Sequence, residues 1–230
     1  MKILNPIFVT IFFCGSIAAF SQQRPLLIVR KCADFELTGK GDNNEWAKTP
    51  WTVLNKLDSG SEQYETKFKT LYSAKGIYVL FNGIDDKITT EFDKDFEDLF
   101  RGDVFEVFFH TTPDIPIYFE YEINHLNKEL VLLMPHFDEI YYGWTPWHYE
   151  GERRIKKMVT VVGGKNKINA SIKSWSAELF FPYAFFNPEN NTAPSPGTKW
   201  NANFYRLDYD TGNMIKWAWS PVESSFHEFK

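Results

Sequence analysis

The sequence predicts an all-β protein: an antiparallel β-sandwich of jelly-roll type, built as a single domain. Three observations carry that expectation. Short runs rich in Val, Ile, Phe, Tyr and Thr alternate apolar with polar residues and are bounded by Gly, Asn, Asp and Pro. No long amphipathic helical pattern interrupts them, and no repeat, linker or low-complexity tract divides them. The chain also carries 22 Phe, 11 Tyr and 8 Trp, enough large side chains to fill the space between two sheets.

Taken in order, residues 1–21 read as a signal peptide. A positive "MK" start precedes an almost wholly apolar run from Ile3 to Phe20, and Ala19 and Ser21 have the spacing of a cleavage site before Gln22. Asn5 and Pro6 shorten the apolar run, so no membrane span is expected. "IFFC" lacks the small residues that precede a lipidated cysteine, which disfavours an anchor at Cys14. Export to the periplasm or the extracellular space follows. Cys32 is the one cysteine of the remaining domain, 22–230, so no internal disulfide forms and the thiol is read as buried. The net charge of −5 becomes one unit more negative when the leader and its Lys2 are removed, which argues against a nucleic-acid partner. A monomer is expected.

The strand runs are "TKFKTLYS" (66–73), "GIYVLFNGID" (76–85), "DVFEVFFHT" (103–111), "YFEYEIN" (118–124), "KELVLLM" (128–134), "MVTVVG" (158–163), "INASIKSWSAELFFP" (168–182) and "WNANFYRLDYD" (200–210). "DKDFEDLF" (93–100) is the best helical candidate, or else a loop capping one end of a sheet.

"YFEYEIN" is the chemical centre. Alternation turns Phe119, Tyr121 and Ile123 to one face and Glu120, Glu122 and Asn124 to the other, facing water or a ligand. Residues i and i+2 stand roughly 6.5–7 Å apart, so the polar set forms a spaced row. Glu106, the one acid within the next strand, belongs beside that row, and "NANFYR" adds either Asn201 and Asn203 or, from its other face, Arg206. Glycoside hydrolysis needs two carboxyl groups flanking the scissile bond. Glu120 and Glu122 have an inverting separation but stand on the same side of one strand. Binding suits them better: a row of acceptors and donors holds sugar hydroxyls, and aromatic rings stack on pyranose faces. The loop-borne aromatics Phe100, Trp144, Trp147 and Phe226 are the candidates for stacking.

Asp93, Asp95 and Glu97 cluster hard oxygen ligands suited to Ca²⁺, without an EF-hand pattern. The five histidines lack zinc spacing, and no GxSxG elbow, phosphate loop or GxGxxG turn occurs.

Several segments together resemble the family 9 carbohydrate-binding modules, in the form that bacteria of the Bacteroidetes type export as stand-alone proteins. They are "FELTGKGDNNEWAKTPW", "TKFKTLYSAKGIYVLFNGIDD", "LFRGDVFEVFFH" with "YFEYEINHLN", "SWSAELFFPYAFF", "PGTKWNANFYRLD" and "WAWSPVESSFHEF", in family order over roughly residues 35–229. The resemblance implies a β-sandwich that binds the ends of glucan or xylan-type poly- or oligosaccharides in support of polysaccharide catabolism. It places a two-ring clamp on Phe100 and Phe226, where the family usually carries tryptophan, and a hydroxyl acceptor on Glu106. It needs no cofactor but allows structural Ca²⁺. The alternative is a glycoside hydrolase using Glu106 with Glu120 or Glu122. A third reading is a sandwich scaffold that has lost sugar binding.

Overall fold

A computed structural model describes residues 24–60, 64–137, 140–189, 193–222 and 225–228; the leader expected over 1–21 lies outside them. In chain order the strands are β1 (Arg30–Lys31), β2 (Thr52–Val53), β3 (Asn55–Lys56), β4 (Thr66–Tyr72), β5 (Gly76–Ile84), β6 (Val104–His110) and β7 (Ile117–Asn124). They continue with β8 (Glu129–Phe137), β9 (Ile140–Tyr141), β10 (Thr145–Pro146), β11 (Lys156–Val162), β12 (Ser174–Pro182), β13 (Asn201–Asp208) and β14 (Ile215–Ala218).

One sheet runs β1-β4-β5-β12-β11, with β2 also on β4. The second runs β10-β8-β7-β6-β13-β14-β3, with β9 on β8. The β1–β4 pair is parallel, and every other pairing among the described residues is antiparallel. All eight runs expected from the sequence contain a strand, although residues 168–173 of "INASIKSWSAELFFP" form a turn and an isolated bridge ahead of β12. "IKWA" in β14 is an addition, too short for its alternation to stand out.

The period-2 pattern decides what meets between the sheets. Phe68 of β4, Phe81 of β5, Trp175 and Phe181 of β12, Phe105 and Phe109 of β6, and Phe119 and Tyr121 of β7 form one buried cluster. Their rings tie the two sheets together: Phe105 lies parallel between Phe81 and Trp175, at centroid distances of 4.8 and 3.7 Å, and Phe68 stacks on Phe204 at 3.9 Å. Gly83 lets this happen, because a Cβ there would stand 3.0 Å from both the Phe105 ring and the Arg206 guanidinium.

Both outer faces are covered over much of their area. On the first sheet, residues 32–49 are tied down by the buried Glu178. Its carboxylate accepts the amides of Thr38 and Gly39, both at 2.6 Å, and the Trp46 indole N–H at 2.7 Å. On the second sheet, the segment between β5 and β6 lays Phe92, Phe96, Leu99 and Phe100, and the C-terminal end lays Val222 and Phe226, over Phe108, Tyr118, Leu132 and Tyr205. "DKDFEDLF" is largely a loop; its helical part is one 3₁₀ turn, Leu99–Arg101, anchored by the buried Leu99. The run is too short to propagate an α-helix, and its apolar residues serve as a cover.

Candidate functional site

The polar set of β7 does point away from the inter-sheet core, as the alternation requires. The face it occupies is not open water. Glu120 is 6% exposed, and Glu122 and Asn124 are fully buried, because the covering segments lie across them. Pairing register brings the third acid in: Glu106 of β6 is directly opposite Glu122, and Phe108 opposite Glu120. Three carboxyl groups thus share one patch of sheet.

Their environment favours the protonated form. Burial pushes Glu120 up to about 7. Burial first, and then the neighbouring acids, push Glu106 and Glu122 well above the usual carboxyl range. In the other direction, the Phe100 backbone amide acts on Glu122. Glu120 Oε2 meets no donor among the described residues, and neither Glu122 oxygen is in a hydrogen bond of normal geometry there. A proton held on one of the two acids lets it bond the other; with both ionised, neither has anything to offer. Asn124, by contrast, is used locally. Its Oδ1 accepts from the amides of Leu126 and Lys128, and its Nδ2 donates to the Phe92 carbonyl, all at 3.0 Å. It shapes the β7–β8 turn and pins the covering loop.

A cleft of about 240 Å³ opens onto this patch. Glu106, Glu120 and Phe108 form its floor, Leu207, Met214 and Lys216 one side, and Phe226 with His227 the roof. Phe226 is held by stacking on Tyr205 at 4.0 Å, and its carbonyl accepts the Tyr205 hydroxyl at 3.0 Å. His227 Nδ1 shares a hydrogen bond with the Tyr118 hydroxyl at 2.8 Å and lies 3.7 Å from Glu120 Oε2. Burial lowers the His227 pKa, so the ring is neutral at physiological pH.

Of the residues singled out in the sequence, Glu106, Glu120 and Phe226 line the cleft, and Glu122 lies beside it. Phe100 packs half-buried on the same apolar layer but does not line the cleft. Trp147 and Arg206 lie on the opposite side of the sheet. Trp147 contacts Phe119 in the inter-sheet core and carries Arg153 over its ring. Arg206 is fully buried; it bonds Asp85 at 3.0 Å, Asp208 at 2.6 Å, the Ile84 carbonyl at 2.6 Å and the Thr66 hydroxyl at 3.0 Å. It is a clamp between sheets. The sequence reading missed Lys216, Met214 and His227. Register offered a signal for Lys216, since it pairs with Leu207 and alternates with the core residue Trp217.

The acids expected to hold calcium do not converge. Asp95 pairs with Lys157 at 2.7 Å and accepts the Glu129 amide, while Glu97 accepts the amides of Asp93 and Lys94. Two other groups are compact enough to share an ion: Asp85 with Asp208 and Asp210, and Asp85 with Asp103 and His125. Their oxygens already have donors. Asp85 Oδ2 takes both His125 and Arg206, and Asp210 takes the hydroxyls of Thr89 and Tyr64. The Arg206 guanidinium supplies one positive charge to this cluster, yet burial and the neighbouring acids hold Asp103, Asp208 and Asp210 above the usual carboxyl range, so the group stays a compact acidic site.

Residues 37–135 match the family model described as carbohydrate family 9 binding domain-like. None of the curated proteins matches the chain. Among solved structures, one similar chain is a Bacteroides uniformis protein for which carbohydrate binding is the suggested role. It is 16% identical with a TM-score of 0.72, over 90% of this chain and 97% of that one. A family 9 carbohydrate-binding module from Caldicellulosiruptor kristjanssonii in complex with glucose is 14% identical with a TM-score of 0.58, over 88% and 92%. The same organism's family 9 module in complex with cellotriose gives 13%, 0.55, 84% and 87%. At these identities the structures establish the shared fold. Residues 37–135 are thus similar to the carbohydrate family 9 binding domain-like model, and the chain shares the β-sandwich fold of the solved family 9 modules.

Proposed function

We propose that the protein binds carbohydrate without cleaving it, taking the end of a glucan or xylan-type poly- or oligosaccharide into the cleft over Glu106 and Glu120. The observation that carries this reading is the buried Glu120 Oε2 at the cleft floor, an acceptor without a donor among the described residues, with Glu106 beside it. A buried acceptor left unpaired costs about 1–3 kcal/mol, and a sugar hydroxyl is a donor of the right size to recover it. Lys216 at the side supplies a donor to sugar oxygens, and Phe226 supplies an aromatic wall. The family 9 module complexes with glucose and cellotriose support the choice of ligand class.

Hydrolysis by Glu106 with Glu120 or Glu122 has less behind it, even though Glu120 has the raised pKa of a general acid. Glu106 faces Glu122 across one strand spacing and Glu120 follows two residues on, so all three rise from one floor. A sugar lying on that floor meets them all from the same side, whereas an acid and its partner must flank the bond. The apolar run Ile3–Phe20 with Ala19 and Ser21 supports export, and a role in polysaccharide breakdown would follow from the ligand class proposed.

Calorimetric titration with glucose and with cello- and xylo-oligosaccharides tests the reading. Saturable binding that is weakened in Glu106→Gln and Glu120→Gln is the expected result. Absence of heat with every sugar would leave the scaffold reading in its place, and reducing sugar released by the wild type but not by Glu120→Gln would favour the hydrolase.

A further inference from the structure

We propose that Trp144 is an outlying stacking residue on the same sheet face, holding a sugar unit of a longer chain whose end occupies the cleft. This rests on the carbohydrate-binding reading above. Register sets where the indole points. Thr145 of β10 is opposite Leu133, and Pro146 is opposite Leu132. Leu133 packs against the inter-sheet core, whereas Leu132 belongs to the outer layer with Phe108 and Tyr118. Trp147, the residue after β10, packs against Phe119 of the core. Alternation along this edge therefore turns Thr145 and Trp147 inward. Trp144 and Pro146 turn outward, to the face that carries Glu120 and Glu106.

The ring is 54% exposed, in a chain whose other tryptophans among the described residues are mostly partly or fully buried. Two strand spacings separate β10 from β7, which sets Trp144 roughly 10 Å across the sheet from the Glu120 strand. The cleft, at about 240 Å³, is smaller than the usual 300–1,000 Å³ of ligand pockets and has room for little more than one end of a chain. Further units lie outside the cleft, and toward β10 they pass over the apolar layer that covers Tyr118 and Leu132. Toward the β8–β10 edge, the exposed aromatic surfaces are the Trp144 indole and the Tyr142 ring, with Pro146 beside Trp144.

The test compares wild type, Trp144→Ala and Trp144→Phe by titration with glucose and with a cello-oligosaccharide series up to the hexasaccharide. Glucose affinity should be the same in all three. In the wild type the hexasaccharide should bind more tightly than glucose, and Trp144→Ala should lose about fivefold of that gain while Trp144→Phe keeps most of it. The thermal midpoint should not move, because the ring is largely in water. Equal hexasaccharide binding by wild type and Trp144→Ala, or a parallel loss of glucose binding, overturns the proposal while the carbohydrate-binding reading stands. Failure of the wild type to bind any sugar overturns both.

Discussion

Phe226 lies parallel on Tyr205, with ring centroids 4.0 Å apart and planes inclined by 15°, and the Tyr205 hydroxyl donates to the Phe226 carbonyl. One strand residue thus fixes both the ring and the backbone of the C-terminal segment that roofs the cleft. Tyr205 is directly opposite Glu106, so roof and floor of the cleft share a single rung of the sheet.

Phe226→Ala should therefore weaken sugar binding by about 0.5–1.5 kcal/mol, the scale of one aromatic contact, with a small loss of thermal stability. Tyr205→Phe removes only the hydroxyl and should loosen the segment at a cost of about 0.5–1.5 kcal/mol. Calorimetry and thermal melts on both variants separate the two effects. Phe100→Ala, whose ring packs off the cleft, should cost more stability than affinity; the reverse result would put Phe100 in contact with the sugar.

The buried acids give a pH dependence with a definite sign. Folding raises the Glu120 pKa to about 7 and raises Glu106 and Glu122 as well, so the folded chain holds protons that the unfolded chain releases. Stability linked to these groups is full below about pH 4.3; for Glu120 it is lost as the pH rises through 7, by on the order of 3 kcal/mol, and Glu106 and Glu122 act in the same direction. Asp85 and Asp95 act in the opposite sense. Burial by itself would raise both, but His125 and Arg206 around Asp85, and Lys157 beside Asp95, more than offset it. Their contribution is lost as the pH falls below about 3.9. Melting temperature should peak in mildly acid solution and fall toward pH 8, and Glu120→Gln or Glu122→Gln should flatten that fall. An unchanged slope in both variants would mean that the carboxyls are not the groups responsible.

Removing Arg206 tests the clamp between the sheets. Arg206→Met leaves Asp85 and Asp208 buried without their cation and should cost about 3–5 kcal/mol in denaturant unfolding. Asp85→Asn with Arg206→Met should recover part of it. Sugar affinity of whatever remains folded should be unchanged, since the guanidinium lies on the far side of the sheet from the cleft.

Glu178 offers a separate measurement. Glu178→Gln keeps its shape but exchanges a charged acceptor for an amide facing three N–H donors, and should cost about 1.5–3 kcal/mol. Faster hydrogen exchange at Thr38 and Gly39 than at strand β5 would localise the loss to the segment 32–49.

The eight long strands and the inward set Phe119, Tyr121 and Ile123 were legible in the sequence, because a strand's side chains alternate whatever surrounds it. The same rule put Glu120, Glu122 and Asn124 together on the other face. It could not say whether that face is wet. Solvation there is set by Phe92, Leu99 and Phe100 from one loop and Phe226 from the far end of the chain, and their docking is a long-range event with no local pattern.

Arg206 shows the same division. Its strand and its facing direction follow from alternation, but its role follows from Asp85, His125 and Thr66, which come from other strands and turns. The sequence by itself determined the sandwich, the strand faces and the three acids of one sheet. Only the tertiary structure decided which polar groups find partners inside the fold and which are left to bind something else, because burial and pairing depend on segments far apart in the chain.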